Sequence, residues 1–255
     1  MLETGIHYWL VGFAAVAAGA VNALAGGGTL ITFPTLLALG VPPITANVTN
    51  TVALCPGFLG GILGQYKDLT GQKRRFRIFL GVSGVGGVVG SILLLRTGER
   101  IFMALVPYLI LTASFMLALQ GLLRMWLARR SAETEAKSGS ETWAVILVSL
   151  ASIYGGYFGV AMSVVVLSLL GWLINDSLTR LNAIKQAVAF GANAAAAIIF
   201  IFSGRVAWSI AAVMAAGALI GGVMGGRLAG HIKPDTLRWT VVSIGFTLSV
   251  IYFMR

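Results

Sequence analysis

Polar side chains that could bind a small ligand occur at matching spacing in two apolar stretches of the sequence. The first run is Asn47, Asn50 and Thr51, with Thr49 beside it, and the second is Asn182, Lys185 and Gln186, with Asn193 further along. Each run is spaced i, i+3, i+4, so its side chains share one face of a helix. Amides, hydroxyls and an ammonium donate hydrogen bonds, so these faces could bind the oxygens of an anion. Hydrogen bonding between helices without a ligand is the alternative, and Lys185 could instead reach out towards water.

Glycines interrupt the apolar pattern after Asn22, where the sequence continues to Gly26, Gly27, Gly28 and Thr29. A helix that begins at Thr29 would present unpaired N–H groups and the positive end of its dipole, which together favour anions. A second break, YGGYFGVAMS, begins at Tyr154 and contains Tyr157. A tight turn with nothing bound is the alternative for both. A nucleotide loop is a poor fit, because no strand precedes the glycines and no Lys-Ser/Thr pair follows them.

The acidic residues are placed unfavourably for catalysis inside an apolar core. All eight lie in polar stretches or at the ends of apolar ones: Glu3, Asp68, Glu99, Glu133, Glu135, Glu141, Asp176 and Asp235. No Ser/His/Asp set is visible, and Cys55, His7 and His231 do not form a metal-ligand pattern. We therefore expect no enzyme activity, no metal and no cofactor.

The composition points to a membrane protein. Of 255 residues, 58% are hydrophobic and 10% are charged, whereas soluble domains are usually about a quarter charged. A net charge of +10 would suggest nucleic acid on a soluble fold, but too little polar surface is available here for a nucleic-acid-binding face. The first residues carry Glu3 and no Lys or Arg, so a signal peptide is not expected.

Ten hydrophobic segments are predicted, and all of them are expected to be helical. They are His7–Ala25, Thr29–Gly40, Ile44–Tyr66, Phe76–Leu95, Ile101–Leu123, Thr142–Gly159, Met162–Ile174, Thr179–Phe202, Ala207–Gly230 and Thr236–Met254. The second and seventh are short. As a helix, Thr29–Gly40 would be about 18 Å long, against a hydrocarbon core of about 30 Å.

The order of long and short segments occurs twice, which predicts a duplicated fold. The copies are residues 1–123 and 142–255, separated by a polar cytoplasmic linker loop, 124–141. Five crossings in each copy would make the two inverted. With loop 67–77 in the cytoplasm, most Lys and Arg residues lie on that side, in agreement with the positive-inside rule. This favours ten crossings with both termini outside. If the second and seventh segments were re-entrant and did not cross, fewer Lys and Arg residues would lie on the cytoplasmic side.

Four stretches resemble the sulfite exporter TauE/SafE family in the order that the family shows. They are VNALAGGGTLITFP (Val21–Pro34), VPPITANVTNTVALCPG (Val41–Gly57), YGGYFGVAMS (Tyr154–Ser163) and LNAIKQAVAFGANAAAA (Leu181–Ala197). The resemblance implies a duplicated helical transporter of sulfur-containing anions such as sulfite or organosulfonates. By position, the glycines at 26–28, the Thr49-Asn50 pair and Lys185 match its conspicuous motifs. The chain departs from it at Thr51, where many members have Lys, and at Ala183-Ile184, where they have Thr-Ser.

Together, these features predict a secondary transporter, more specifically an exporter, of a small sulfur-containing anion in the plasma (inner) membrane. An anion channel is the alternative. The predicted binding residues are Asn22, Gly26, Gly27, Gly28, Thr29, Asn47, Thr49, Asn50 and Thr51 from the first copy, and Tyr157, Asn182, Lys185 and Gln186 from the second. The expected partners are the anion and the lipid bilayer, with no nucleic acid; a homo-oligomer is left open.

Overall fold

Nine α-helices and one short 3-10 helix account for most of the described residues in the computed structural model. The structure describes residues 5–24, 26–133, 141–228, 239, 242–247 and 249–250. The helices are α1 (Gly5–Leu24), α2 (Thr29–Ala38), α3 (Pro43–Gly64), α4 (Lys73–Thr97), α5 (Glu99–Glu133), α6 (Glu141–Tyr157), α7 (Met162–Leu173), α8 (Leu178–Ile201) and α9 (Trp208–Leu228), with a 3-10 helix at Tyr66–Leu69. No strand occurs within these ranges. The predicted all-helical class is confirmed. The tenth segment lies largely outside the described residues, of which 242–247 and 249–250 are helical.

Six of these helices contain a stretch long and apolar enough to span a membrane: His7–Leu24, Pro43–Gly64, Lys73–Thr97, Glu99–Leu119, Leu178–Ile201 and Trp208–Leu228. The short second and seventh segments are confirmed as helices of 10 and 12 residues. At 1.5 Å per residue they are about 15 and 18 Å long, too short to cross a hydrocarbon core of about 30 Å as single straight helices.

The polar linker begins later than the sequence predicts. We expected a loop over 124–141, but α5 continues through its first ten positions to Glu133. The reason is local: residues 124–133 contain Arg, Met, Leu and Ala, which favour helices, and neither Gly nor Pro. Residues 134–140 lie outside the described part of the chain.

Glycines bring the long helices into backbone contact. α4 packs between α6 and α8, and α9 packs between α1 and α3. A Cβ added to Gly87 would overlap the carbonyl oxygen of Ala192, and one added to Gly222 would overlap that of Gly57. Small residues at such contacts let helix backbones approach closely, which is how helices associate in membranes. α3 also packs against α8, so the two polar faces identified in the sequence lie on neighbouring helices.

Candidate functional site

The C-terminal end of α1 is held by three side chains of α8. Lys185 Nζ lies 3.2 Å from the carbonyl oxygen of Asn22 and donates to it. Gln186 Nε2 and Asn182 Nδ2 donate to the carbonyl oxygen of Ala23, at 3.1 and 3.2 Å. The last carbonyls of a helix lack partners within it and carry its partial negative charge, so α8 caps α1 with one cation and two amides.

Lys185 is fully buried, with 0% of its surface exposed. Among the described residues it is the one Lys or Arg in the buried set, which contains no Asp or Glu. Its side chain turns towards α1. It does not reach out towards water, which was the alternative for Lys185 in the sequence. Lys185 is therefore the one basic or acidic side chain in the buried set of the described residues.

The break after α1 folds back on the same helix. Gly26 and Gly27 adopt positive φ angles of 82° and 90°, which glycine tolerates far better than other residues. The side-chain oxygen of Asn22 then accepts a hydrogen bond from the N–H of Gly28 at 2.7 Å. Asn22 thus contacts both Lys185, through its carbonyl, and the start of α2, through its side chain.

The starts of the two short helices lie side by side. A Cβ added to Gly26 would lie 2.8 Å from the Cβ of Ser163, in the first turn of α7. Phe33 of α2 packs edge-on against Phe158 of the second break, with ring centroids 5.3 Å apart. Within the described ranges, the N–H groups of Gly27, Thr29 and Ser163 have no hydrogen-bond acceptor. The N-terminal ends of α2 and α7, each the positive end of a helix dipole, therefore lie together beside the end of α1.

The end of α6 is held by one neutral side chain. Asn47 Nδ2 of α3 donates to the carbonyl oxygen of Tyr157 at 2.9 Å. The Tyr157 ring packs on Phe102 with centroids 6.1 Å apart. The following break requires a positive φ of 58° at Ala161, a non-glycine residue, and its carbonyl at Val160 accepts from the Tyr154 hydroxyl.

The amide side chains of the two polar runs are oriented differently from the orientation that the sequence predicts. Because the NH₂ groups of Asn47, Asn182 and Gln186 bond to backbone carbonyls, their orientations are fixed by those acceptors. Four buried amide oxygens of the two polar runs have no donor among the described residues: Asn47 Oδ1, Asn50 Oδ1, Asn182 Oδ1 and Gln186 Oε1. We expected amide N–H groups to face an anion, whereas those bonded here face helix ends.

The remaining predicted residues separate into two groups. Thr49 Oγ1 accepts from the N–H of Ala207, and Thr51 Oγ1 donates to the carbonyl of Asn47, so both hydroxyls join the helix framework. Thr29 is buried at the first break, and Asn50 is buried on the polar face of α3. Sequence reasoning missed Gln65, whose Oε1 accepts from Asn182 Nδ2 at 2.8 Å. It also missed Ser163, whose place beside Gly26 depends on the tertiary fold.

Comparison with known proteins gives matches over nearly the whole chain. The family model for "Sulfite exporter TauE/SafE" matches residues 11–252. A "Probable membrane transporter protein" of Haemophilus influenzae is 28% identical over 234 residues, covering 90% of this chain and 88% of that protein. The "Probable membrane transporter protein YfcA" of Escherichia coli K12 is 24% identical, covering 93% and 86%. The "Probable membrane transporter protein ORF9" of a Sinorhizobium species is 25% identical, covering 93% and 88%.

These matches extend over nearly the whole chain, including both breaks and the polar faces of α3 and α8. Together with the candidate spans, they identify a multi-pass membrane transporter, and the chain belongs to the sulfite exporter TauE/SafE family.

Proposed function

We propose that this transporter exports a small sulfur-containing anion, sulfite or an organosulfonate, across the plasma membrane. The observation that carries the proposal is Lys185, the single charged residue in the buried set of the described chain. A sulfonate or sulfite has several oxygens that accept charge-assisted hydrogen bonds. Burying an anion next to a cation is far cheaper than burying it in an apolar core.

The donors for such an anion are grouped around one residue. Lys185 Nζ donates to the carbonyl oxygen of Asn22, and the N–H of Gly28 donates to the side-chain oxygen of Asn22. The ammonium and the start of α2 therefore both contact this one residue. An ammonium has three N–H donors, and one of them bonds to the carbonyl oxygen of Asn22. The N–H groups of Gly27, Thr29 and Ser163 add further donors at two positive helix ends. The anion would bind between these groups, in the manner of half-helix sites in transporters.

Alternating access between two inverted halves, 1–123 and 142–255, is the proposed mechanism. Matching contacts support it, since α4 packs on α6 and α8 as α9 packs on α1 and α3. The glycine contacts match as well: Gly87 meets Ala192 on one side, and Gly222 meets Gly57 on the other. Both pairs follow the register that aligns Asn47 with Asn182. Rocking of one half against the other would expose the breaks to each side in turn.

Export is favoured by the membrane potential. An inside-negative potential assists efflux of an anion by about 2.3 kcal/mol per charge per 100 mV. Uptake would need a coupled proton or cation, and no carboxylate belongs to the buried set of the described residues. We therefore propose efflux without a carboxylate proton relay.

The test is a thermal-stability screen of the purified protein with sulfite, thiosulfate, taurine and sulfoacetate. At least one anion should raise the melting temperature of the wild type, and Lys185→Ala should remove that increase while still unfolding cooperatively. Lys185→Arg should keep part of it, and Arg100→Ala, which removes an exposed cation, should keep all of it. Equal stabilisation of wild type and Lys185→Ala would contradict the proposed site.

Transport is tested separately in proteoliposomes loaded with the stabilising anion. Efflux should accelerate as the imposed potential becomes more inside-negative. Uphill uptake driven by a proton gradient alone would overturn the uncoupled export mechanism. Unitary currents in planar bilayers would instead indicate an anion channel.

A further inference from the structure

The first turn of α4 carries an unusual concentration of positive charge. Lys73, Arg74, Arg75 and Arg77 follow one another at its N-terminal end, and the first turn contains no acidic residue. Cations at the positive end of a helix dipole are unfavourable, because like charges repel there. Anionic groups outside the helix would therefore stabilise this end of α4.

Two of the four cations contact acids of the second half. Arg74 lies 3.5 Å from Glu141, and Arg75 lies 3.1 Å from Asp176. Arg180 joins the same group, with its Nε 2.8 Å from Asp176. Arg74, Arg75, Glu141 and Arg180 line a polar cleft of about 200 Å³ between α4, α6 and α8, so both α4 arginines on this side have acidic partners within the protein.

The other two cations face a different cavity. Lys73 and Arg77 are spaced i, i+4 and so lie on one face of α4. Both are exposed, and neither forms an ion pair with any acid in the described part of the chain. They line a cavity of about 530 Å³ whose other walls include Tyr66, Leu69 and Phe76. The cavity combines two cations that have no acidic partner in the described part of the chain with apolar and aromatic surface.

The location of this cavity suggests what it binds. It lies where α3 ends at Gly64 and α4 begins at Lys73, at the ends of two membrane-spanning candidates. Leu59 and Leu63, exposed and spaced i, i+4 on α3, continue the apolar surface from Tyr66 along the span. A headgroup in the cavity would thus have an apolar path for its acyl chains.

We propose that this cavity binds the headgroup of an anionic phospholipid of the cytoplasmic leaflet. Lys73 and Arg77 would donate to the phosphate oxygens, while Leu69 and Phe76 would contact the glycerol and the first methylenes. A free inorganic anion fits less well, because exposed charges are screened by salt and such an anion leaves the apolar walls without a contact. Basic residues at this level of a membrane protein attract anionic lipid by the same electrostatics.

The test is lipid binding by native mass spectrometry and by melting temperature in detergent. We expect the wild type to bind phosphatidylglycerol at least fivefold more tightly than phosphatidylcholine, and phosphatidylglycerol to raise its melting temperature. Lys73→Gln/Arg77→Gln should lose this preference, and Arg96→Gln/Arg100→Gln, at the opposite end of α4 and the start of α5, should keep it. Inorganic phosphate at millimolar concentration should neither stabilise the wild type nor displace the lipid.

Three outcomes would overturn the proposal: no preference for the anionic lipid, an unchanged preference in Lys73→Gln/Arg77→Gln, or displacement of the lipid by inorganic phosphate. The last would indicate a site for a soluble anion. Both double variants keep the acid contacts of Arg74 and Arg75, so a melting temperature near that of the wild type in lipid-free detergent confirms that they fold. None of these outcomes depends on the transported substrate.

Discussion

The ends of α1 and α6 face the same structural problem and are stabilised by different chemistry. Each helix stops inside the bundle, and each exposes carbonyl groups at a break that precedes a short helix. At α1 the break uses glycines, and Lys185, Gln186 and Asn182 donate to its carbonyls. At α6 the break uses Gly159 and Ala161 at positive φ, and Asn47 alone among the described side chains donates to Tyr157.

The difference shows how similar arrangements can acquire one charged site. Asn47 and Asn182 play the same part on α3 and α8, since each ties its amide to the end of a helix from the other half. One turn later the helices diverge, with Asn50 on α3 and Lys185 on α8. The end of α1 thus combines a cation, a glycine break and Asn22, whereas the end of α6 has only neutral groups at the corresponding positions.

The largest expected effect comes from the glycines of the first break. A Cβ at Gly28 would overlap the backbone carbonyl of Ala18, whereas a Cβ at Gly40 meets nothing within 4 Å. We expect Gly28→Ala to lower the free energy of unfolding by about 3 kcal/mol or more, because the α1 backbone must shift. Gly40→Ala, with φ at 80°, should cost only about 1 kcal/mol of backbone strain.

Size-exclusion profiles and melting temperatures of the two variants measure this contrast. If Gly28→Ala melted like Gly40→Ala, the close approach of the break to α1 would not be a structural requirement.

The second prediction moves the charge from one region to the other. Lys185→Asn should abolish anion stabilisation, and adding Asn50→Lys should not restore it. The reason is that Asn22, which joins the lysine to the start of α2, lies at the end of α1, whereas the polar face of α3 contacts the end of α6 through Asn47. Anion-dependent melting of both variants provides the measurement. Recovery of binding in the double variant would show that the two regions are equivalent.

Much of this fold follows from the sequence because its causes are local. Apolar length and glycine breaks predicted α2 and α7 almost to the residue, and i, i+3, i+4 spacing identified the polar faces of α3 and α8. The extension of α5 to Glu133 was not predicted. The polarity of residues 124–133 indicates a loop, whereas the helix propensity of their Arg, Met, Leu and Ala favours a helix.

The site was less predictable because its contacts are tertiary. The two polar faces were expected to face one anion together. Instead, Lys185, Gln186 and Asn182 turn to the end of α1, whose carbonyls need donors, and Asn47 turns to the end of α6. Gln65 gave no periodic signal, since its role depends on the position of Asn182.

A smaller effect should separate the two capping asparagines. Asn47→Ala removes one hydrogen bond to a helix end, so we expect about 1 kcal/mol of destabilisation. Asn182→Ala removes the bond to Ala23 and also leaves the buried Gln65 oxygen without its donor, so the loss should be about 2 kcal/mol. Melting temperatures of the two variants in one detergent compare them directly. A larger loss for Asn47→Ala would reverse the proposed order of the two ends.

The smallest effect concerns Thr51 and Gln186, which hold the last position of each polar run. Thr51 bonds to Asn47 of its own helix, whereas Gln186 reaches across to α1. Thr51→Val keeps the shape of the side chain, and the Asn47 carbonyl keeps its hydrogen bond within the helix. The free energy of unfolding should therefore change by no more than about 0.5 kcal/mol. Gln186→Met keeps the length but removes a bond between helices, which should cost about 1 kcal/mol. Equal melting temperatures for the two variants would mean that Gln186 adds little to the cap, leaving Lys185 and Asn182 as the groups that distinguish the end of α1.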